Sequence, residues 1–406
     1  MKKKTIFLVF LCLLFINKIE AQVNLSINSE ISLITAGPGE ELYEKFGHSA
    51  LRVVDTTLNI DLIYNYGIFD FNAPNFYSNF AKGKMYYLVA KYDFKYFLAS
   101  YKQDKRWLKQ QILNLDLSEK QRVFDYLENN VRKENATYLY DPFFDNCATK
   151  LRDILQITFG NNIALNSTNI SNNQTLRALM DQEIYWNTWG NFGINIIAGT
   201  ILDKKRSQLS YTYLPDQLYN TFKYARIKRE NVFIPLVEKE QVLLNFTEQA
   251  TPLKITSPVT VFSIFLIIVL FITFKDLKNN KRSRYLDFII FFIIGIVGLL
   301  LTYLWLFSSH TTAPNNFNIL WAFLPNLWMA FSLRKKNVKV GVKKYILLLL
   351  FTLGILPFLW FFKIQAFPCA AIPIFLLLFI RYLFLYKYLY SLKKAIHSAH
   401  ITNNPQ

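Results

Sequence analysis

The stretch HSALRVVDTTLNIDLIYNY, residues 48–66, decides how the first half of the chain is read. Ser49–Asp55 and Asp61–Phe69 are β-branched and aromatic runs of strand length, and Thr56–Asn59 between them is a polar tip. The stretch therefore predicts a β-hairpin centred between Thr57 and Leu58. With that centre Asn65 lies nearly across from His48, whereas a slip of one residue would put Tyr64 or Tyr66 there. Outward from the hairpin, Ile31–Thr35 and Met85–Lys91 read as further strands, set apart by Gly, Pro, Asn and Asp. A helix is predicted from Ser118, where Ser118 and Gln121 fit a capping box and Val123, Leu127 and Val131 repeat along one face. A second helix begins near Asp145 or Asn146 and runs through Leu151, Ile154 and Leu155. Strands first and helices later imply an α+β domain. The Asn- and Ser-rich stretch 161–173 reads as a loop or an insertion.

The whole chain is too apolar for an ordinary soluble enzyme: 52% of its 406 residues are hydrophobic and 18% charged. Its net charge of +18 is unevenly placed. Residues 22–257 carry 26 Lys and Arg against 25 Asp and Glu, whereas residues 258–406 carry 16 against 2. A nucleic-acid surface needs its positive charge on the folded polar domain, so nucleic acid is excluded as the main partner.

Residues 1–21 have the make-up of a secretory signal. Lys2, Lys3 and Lys4 precede an apolar core, Thr5–Ile16, too short to span a bilayer, and Ile19-Glu20-Ala21 offers a cleavage end. From Pro258 five apolar segments follow: Pro258–Phe274, Leu286–Phe307, Phe317–Leu333, Tyr345–Phe362 and Phe367–Tyr386, the third interrupted by Pro325 and Asn326. Lys275–Tyr285 carries five Lys and Arg, Arg334–Lys344 six and the tail from Lys387 three, while Ser308–Asn316 carries none and Lys363–Ala366 one. That asymmetry puts the basic loops in the cytoplasm and residues 22–257 outside. The expected organisation is a signal peptide (1–21), an exported domain (22–257), an all-α domain of about five spans (258–390) and a cytoplasmic tail (391–406). Arg381 is expected to snorkel to the cytoplasmic interface, and His397 and His400 to be solvated in the tail.

The exported domain holds one cysteine, Cys147, and one histidine, His48. With the leader removed no disulfide is possible within the domain. A lone exported cysteine is a buried small hydrophobe, an intermolecular bridge or a nucleophile. The run Asp145-Asn146-Cys147-Ala148-Thr149 sets the sulfur in the first turn of a helix, where free N–H groups and the macrodipole favour a thiolate. His48, taken alone, reads equally as a structural or solvent-facing residue. A metal site would need carboxylates to complete it. A Cys/His pair for covalent acyl chemistry needs only these two and a group to orient the imidazole, the role assigned to Asn65.

Four blocks carry a family resemblance: Thr35-Ala36-Gly37-Pro38-Gly39-Glu40, Phe46-Gly47-His48-Ser49-Ala50-Leu51-Arg52, Tyr64-Asn65-Tyr66-Gly67-Ile68-Phe69-Asp70 and Phe144-Asp145-Asn146-Cys147-Ala148-Thr149. Together they resemble the exported domain of the Lnb family, the lipoprotein N-acylation transferases and their relatives in Gram-negative bacteria. Lys150 stands where that family would have Arg. His310, Asn315, Asn318 and Trp321 extend the resemblance weakly into the membrane half. The order His before Cys, with Cys at a helix start, also resembles permuted papain-like hydrolases, including the lecithin:retinol acyltransferase type.

The resemblance implies that Cys147 is the nucleophile and His48 the general base of an acyltransferase in the bacterial inner membrane, facing the periplasm and using no cofactor or metal. One acyl chain of a lipoprotein's diacylglyceryl anchor would pass through a Cys147 thioester to the amine of the lipid-bearing cysteine. Diacylated lipoproteins and membrane phospholipid are the expected partners. Tyr64, Tyr66, Asp145, Asn146 and His310 are expected at the substrate, His310 reading also as a plain polar loop residue. Two alternatives stand beside this: a Cys hydrolase of the same fold, acting as a cell-wall amidase, peptidase or lipase, and a non-catalytic receptor or scaffold. Trp186, Trp189, Tyr211 and Tyr213 read as core aromatics or as a substrate-facing surface.

Overall fold

The structure, a computed structural model, describes residues 23–165, 173–248, 254–339 and 341–402. The leader and positions 166–172 of the Asn- and Ser-rich stretch lie outside the described residues.

Strands β1 (Ser29–Ala36), β2 (His48–Asp55) and β3 (Ile60–Ile68) come first, followed by the short helix α1 (Phe76–Ala81) and strand β4 (Tyr86–Asp93). The β2–β3 hairpin has the predicted centre, since Asp55 pairs with Ile60 and Leu51 with Tyr64. Asp55 closes the tip from inside. Its carboxylate accepts the N–H groups of Thr57 at 3.0 Å, Leu58 at 3.2 Å and Ser26 at 2.6 Å. Burial pushes this carboxyl up, but those hydrogen bonds hold it below its ordinary range.

The chain continues through α2 (Phe94–Gln103), β5 (Leu108–Leu113), α3 (Leu117–Asn130), β6 (Thr137–Leu139) and α4 (Cys147–Phe159). Beyond these come β7 (Ile163–Ala164), α5 (Leu176–Glu183), α6 (Trp189–Ile197) and α7 (Pro215–Tyr224), then β8 (Arg226–Arg229), β9 (Val232–Pro235) and β10 (Val237–Leu244). Seven strands make one antiparallel sheet in the order β10-β5-β1-β2-β3-β4-β6, and β7, β8 and β9 make a smaller one. Alternation along the strands divides the core in two. Leu33, Leu51, Val53, Tyr64 and Tyr66 pack with Phe124, Leu151 and Leu155 of α3 and α4. Ile34, Ala50 and Ile63 pack with Phe94, Phe97 and Tyr101 of α2.

Helix α3 starts slightly earlier than its predicted box. Asp116 is the cap, accepting the Glu119 N–H at 2.8 Å, while Glu119 returns a bond to the Asp116 N–H. A carboxylate is the stronger acceptor at a helix start, so it takes the role assigned to Ser118. Strand β10 was not read from the sequence because its outward half, Glu238, Lys239 and Glu240, is fully charged.

The second half is helical: α8 (Pro258–Lys278), α9 (Arg284–Leu306), α10 (Asn326–Arg334), α11 (Val342–Phe361) and α12 (Ile372–Thr402). Among the described residues four helical segments are long and apolar enough to cross a membrane: Pro258–Lys278, Arg284–Leu306, Val342–Phe361 and Cys369–Ser391. The third expected span is instead a 3-10 turn, Phe317–Leu320, an irregular bend and the nine-residue α10 capped by Pro325. Proline lacks the N–H and clashes with a preceding helical turn, which confines the helix to the residues after it. The broken segment runs antiparallel along α9. A Cβ at Gly298 would stand 2.3 Å from the Ala322 carbonyl and one at Gly295 2.5 Å from the Leu327 nitrogen, and Arg282 Nη1 donates to the Leu333 carbonyl at 2.7 Å. Irregular backbone at this depth is shielded by the close approach of α9.

Arg381 corrects another expectation. It does not snorkel but is fully buried, with Nε 2.7 Å from Asp287 Oδ1 and Nη1 donating to Thr273 Oγ1 at 3.0 Å. Arg282 reaches the other Asp287 oxygen at 2.9 Å. Charges held at this depth are stabilised by pairing rather than by water. The side chains of His397 and His400 lie outside the described residues.

The two halves are stitched together at the outer end of the bundle. Ser309 N–H donates to the Lys82 carbonyl at 2.8 Å, Gly199 N–H to the Thr312 carbonyl at 2.7 Å and Asn316 Nδ2 to the Ile196 carbonyl at 2.7 Å. Asp203 accepts the Ala366 N–H at 3.1 Å and is gripped by the buried Arg177 at 2.9 Å, whose Nη2 also donates to the carbonyls of Ala198 and Gly199.

Candidate active site

Cys147 is the first residue of α4, and Asn146 is its cap. The Asn146 Oδ1 accepts the N–H groups of Ala148 and Thr149, both at 3.0 Å, and its Nδ2 donates to the carbonyls of Pro142 and Tyr213, both at 2.8 Å. Every polar atom of that side chain is thus committed to holding the turn that presents the sulfur. The Cys147 N–H itself takes part in no hydrogen bond among the described residues. Cys147 keeps 7% of its surface exposed.

His48 opens β2 on the face that carries Ala50, and its Nε2 stands 2.6 Å from Asn65 Oδ1. Asn65 sits diagonally across the hairpin, two residues off the position opposite His48, on the same face. Its Nδ2 donates to Tyr92 Oη at 2.9 Å, and in this orientation the amide presents Oδ1 to the ring. The imidazole Nε2 then carries a proton and Nδ1 is left for the thiol, to which the ring is electrostatically coupled. Cys147, His48 and Asn65 are brought together in one chain of contacts.

The electrostatics of the pair point one way. Burial alone pushes the Cys147 thiol up, but the charge and hydrogen bond of His48, with the N–H groups of Ser49 and Ala148, bring it below its ordinary value. Burial pushes the His48 imidazole down, and the facing Cys147 together with the Asn65 bond more than reverses this, so that it lies above its ordinary value. Thiolate and imidazolium stabilise each other. Arg106 opposes the charge on His48 and is itself held by Gly37 O at 2.8 Å and Glu44 Oε1 at 3.2 Å.

The other sequence-predicted residues fall elsewhere. Tyr64 and Tyr66 are buried on the α3–α4 face; the Tyr64 hydroxyl is bonded to Glu128, and the Tyr66 hydroxyl has no partner. Asp145 pairs with Lys150 at 2.8 Å, at the mouth of the turn. His310 stands off the thiol: its Nε2 bonds the Phe80 carbonyl at 2.8 Å, where α1 meets the outer end of α9. Tyr211 and Tyr213 belong to a core, whereas Trp186 and Trp189 are exposed. Beside the thiol stand residues that the sequence did not single out, Tyr138 and Tyr140, both raised above the ordinary phenol range by burial and by Cys147. Their signal was alternation into Cys147, Tyr138-x-Tyr140, too short to be read as a strand.

The turn ahead of α4 also touches the membrane half. Asp141 accepts the N–H groups of Phe143 and Phe144 at 2.9 and 3.0 Å through Oδ1, and Thr311 donates to its Oδ2 at 2.5 Å. The helix that carries Cys147 therefore begins at the outer end of the transmembrane bundle.

Two family models match the chain: the Lnb N-terminal periplasmic domain over residues 17–182 and the Lnb transmembrane domain over residues 249–394. No curated protein and no solved structure matches it. The two matches fall in order on the sheet-rich half and the helical half, and the transmembrane match takes in the broken third segment with the four long helices. The chain is a multi-pass membrane protein with a periplasmic domain, and it belongs to the Lnb family.

Proposed function

We propose that the protein is a Cys-dependent acyltransferase of the bacterial inner membrane that acts on lipoproteins. It moves one acyl chain from the diacylglyceryl group to the N-terminal cysteine amine through a thioester at Cys147. The observation that carries this reading is a thiol–imidazole–amide relay placed where the periplasmic domain is stitched to the outer end of the bundle.

The Cys147 thiolate attacks the ester carbonyl; the C–S bond forms as the π electrons move to oxygen. Collapse of the tetrahedral adduct breaks the C–O bond, and the leaving glyceryl oxygen takes the proton of the His48 imidazolium. His48, neutral again, removes a proton from the incoming amine, which displaces the thiolate. Asn65 keeps the ring oriented through both steps. The membrane attachment removes a large cost, because each CH₂ withdrawn from the bilayer costs about 0.8 kcal/mol. Transfer is favoured over hydrolysis by the low exposure of Cys147, which limits the water that reaches a thioester.

Incubation of the purified full-length protein with a synthetic diacylated lipopeptide, followed by mass spectrometry, tests the proposal. An N-acyl lyso product of unchanged mass is expected with the parent protein and none with Cys147→Ala. Free fatty acid alone would instead support a lipase, and full biological activity of Cys147→Ala and His48→Ala would support a scaffold.

A further inference from the structure

Two phenolic hydroxyls on the sheet side of α4, Tyr66 Oη and Tyr138 Oη, are buried and bond to nothing among the described residues. A buried hydroxyl without a partner costs stability, so one that faces a reaction site is a candidate to bond something that arrives during the reaction. The two differ in what they face. Tyr66 lies edge-on to the Tyr138 ring at 6.1 Å and points into the α3–α4 core. Tyr138 Oη lies beside the gap at Gly67.

That gap is well defined. Gly67 has φ +91°, in the left-handed region, just where the β3–β4 register shifts between Tyr66 and Ile68. A Cβ built there would lie 3.9 Å from Cys147 Cβ, 3.9 Å from Tyr138 Oη and 3.4 Å from Tyr140 Cε2. The missing side chain leaves space bordered by the nucleophile's own carbon, an unbonded O–H and an aromatic edge. The Cys147 N–H, also unbonded, belongs to the same residue as the sulfur. The Tyr138 ring is held in place by the Lys150 ammonium 4.6 Å above it, itself paired with Asp145.

We infer that Tyr138 is a catalytic residue whose hydroxyl, together with the Cys147 N–H, forms the oxyanion hole at the Gly67 gap. This rests on the acyl-transfer reading of Cys147. When the thiolate adds to the ester carbonyl, the C–S bond forms and the π pair settles on oxygen. Tyr138 Oη and the Cys147 N–H donate hydrogen bonds to that oxygen. They release it when the C–O bond breaks and the carbonyl of the thioester re-forms. No proton leaves the phenol, which suits a hydroxyl that burial keeps protonated.

The test uses the full-length protein in detergent with two probes. A long-chain aldehyde adds to the thiolate and creates an oxyanion, whereas iodoacetamide alkylates the thiolate and creates none. Tyr138→Phe is expected to weaken aldehyde inhibition by ~10–100-fold and to lower kcat on lipopeptide by ~100-fold, with KM little changed. Its iodoacetamide rate should match the parent's. Equal aldehyde affinity in parent and Tyr138→Phe overturns the inference while leaving the acyltransferase reading intact. Weakened aldehyde affinity in a protein that turns over no lipopeptide upholds the oxyanion hole and sinks the substrate assignment instead. Should Tyr138→Phe lose its reactive thiol altogether, a fluorotyrosine placed at position 138 keeps the shape with a stronger donor. Tighter aldehyde binding than the parent's then supports the inference, and unchanged or weaker binding refutes it.

Discussion

Cys147 and His48 each make the other's charged form cheaper, and this has a pH signature. A free cysteine thiol titrates near pH 8.5, so little of it is thiolate at neutral pH. The Cys147 thiol lies below its ordinary value and His48 above its own, so each group's charged form is favoured by the other. Alkylation of Cys147 should therefore be faster near neutral pH than that of a free cysteine, its pH profile displaced to lower pH. In His48→Ala the main lowering partner is gone and only the Ser49 and Ala148 N–H groups oppose burial, so the rate at pH 7 should drop about tenfold or more and the profile move to higher pH. Asn65→Ala removes the acceptor that fixes the ring; kcat on lipopeptide should fall roughly tenfold or more, with thermal stability nearly unchanged. The sequence made His48, Cys147 and Asn65 legible because they are singular or tied to a hairpin register. It hid Tyr138, since nothing in a lone tyrosine says that its hydroxyl is buried without a partner.

Among the elements, α1 and the outer end of α9 meet with almost no clearance. Gly83 has φ +73°, and a Cβ there would stand 2.5 Å from the His310 nitrogen. Gly83→Ala must force the two apart. Lipopeptide transfer is expected to fall several-fold or more while iodoacetamide labelling of Cys147 is retained, because the contact lies outside the relay. The Arg381 cluster joins α8, α9 and α12. Arg381→Met leaves the buried Asp276 without its cation and Asp287 with Arg282 alone, which should cost about 3–5 kcal/mol and lower the unfolding temperature in detergent. Substituting Asp287→Asn as well should recover part of that loss. Hydrophobic patterning located each of these segments, but it carries no information about which charges meet across helices. That is why Arg381 reads as a snorkelling residue in sequence and is a buried one in the fold. The third segment shows the same limit, as apolar content alone does not report a helix broken at Pro325.

At the scale of the whole molecule, charge asymmetry between loops was the most informative part of the sequence. It predicts that cysteines introduced by Asn280→Cys and Asn337→Cys, in a background of Cys147→Ala and Cys369→Ala, react with an impermeant maleimide only after the inner membrane is opened. Labelling in intact spheroplasts would reverse the topology. The stitching between the halves was not legible, because hydrogen bonds to backbone carbonyls such as those of Lys82, Ile196 and Thr312 leave no trace in residue types. Its consequence is mechanical. Asp203 clamps Ala366 on one flank and Asp141 receives Thr311 on the other, which pins the sulfur at a set height above the lipid. A tool fastened at one elevation cannot reach for its work. On the proposed acyl-transfer reading, a substrate would drift in sideways within the plane of the bilayer, with the scissile bond already at that level and any bulky folded cargo hanging outward, clear of the workbench.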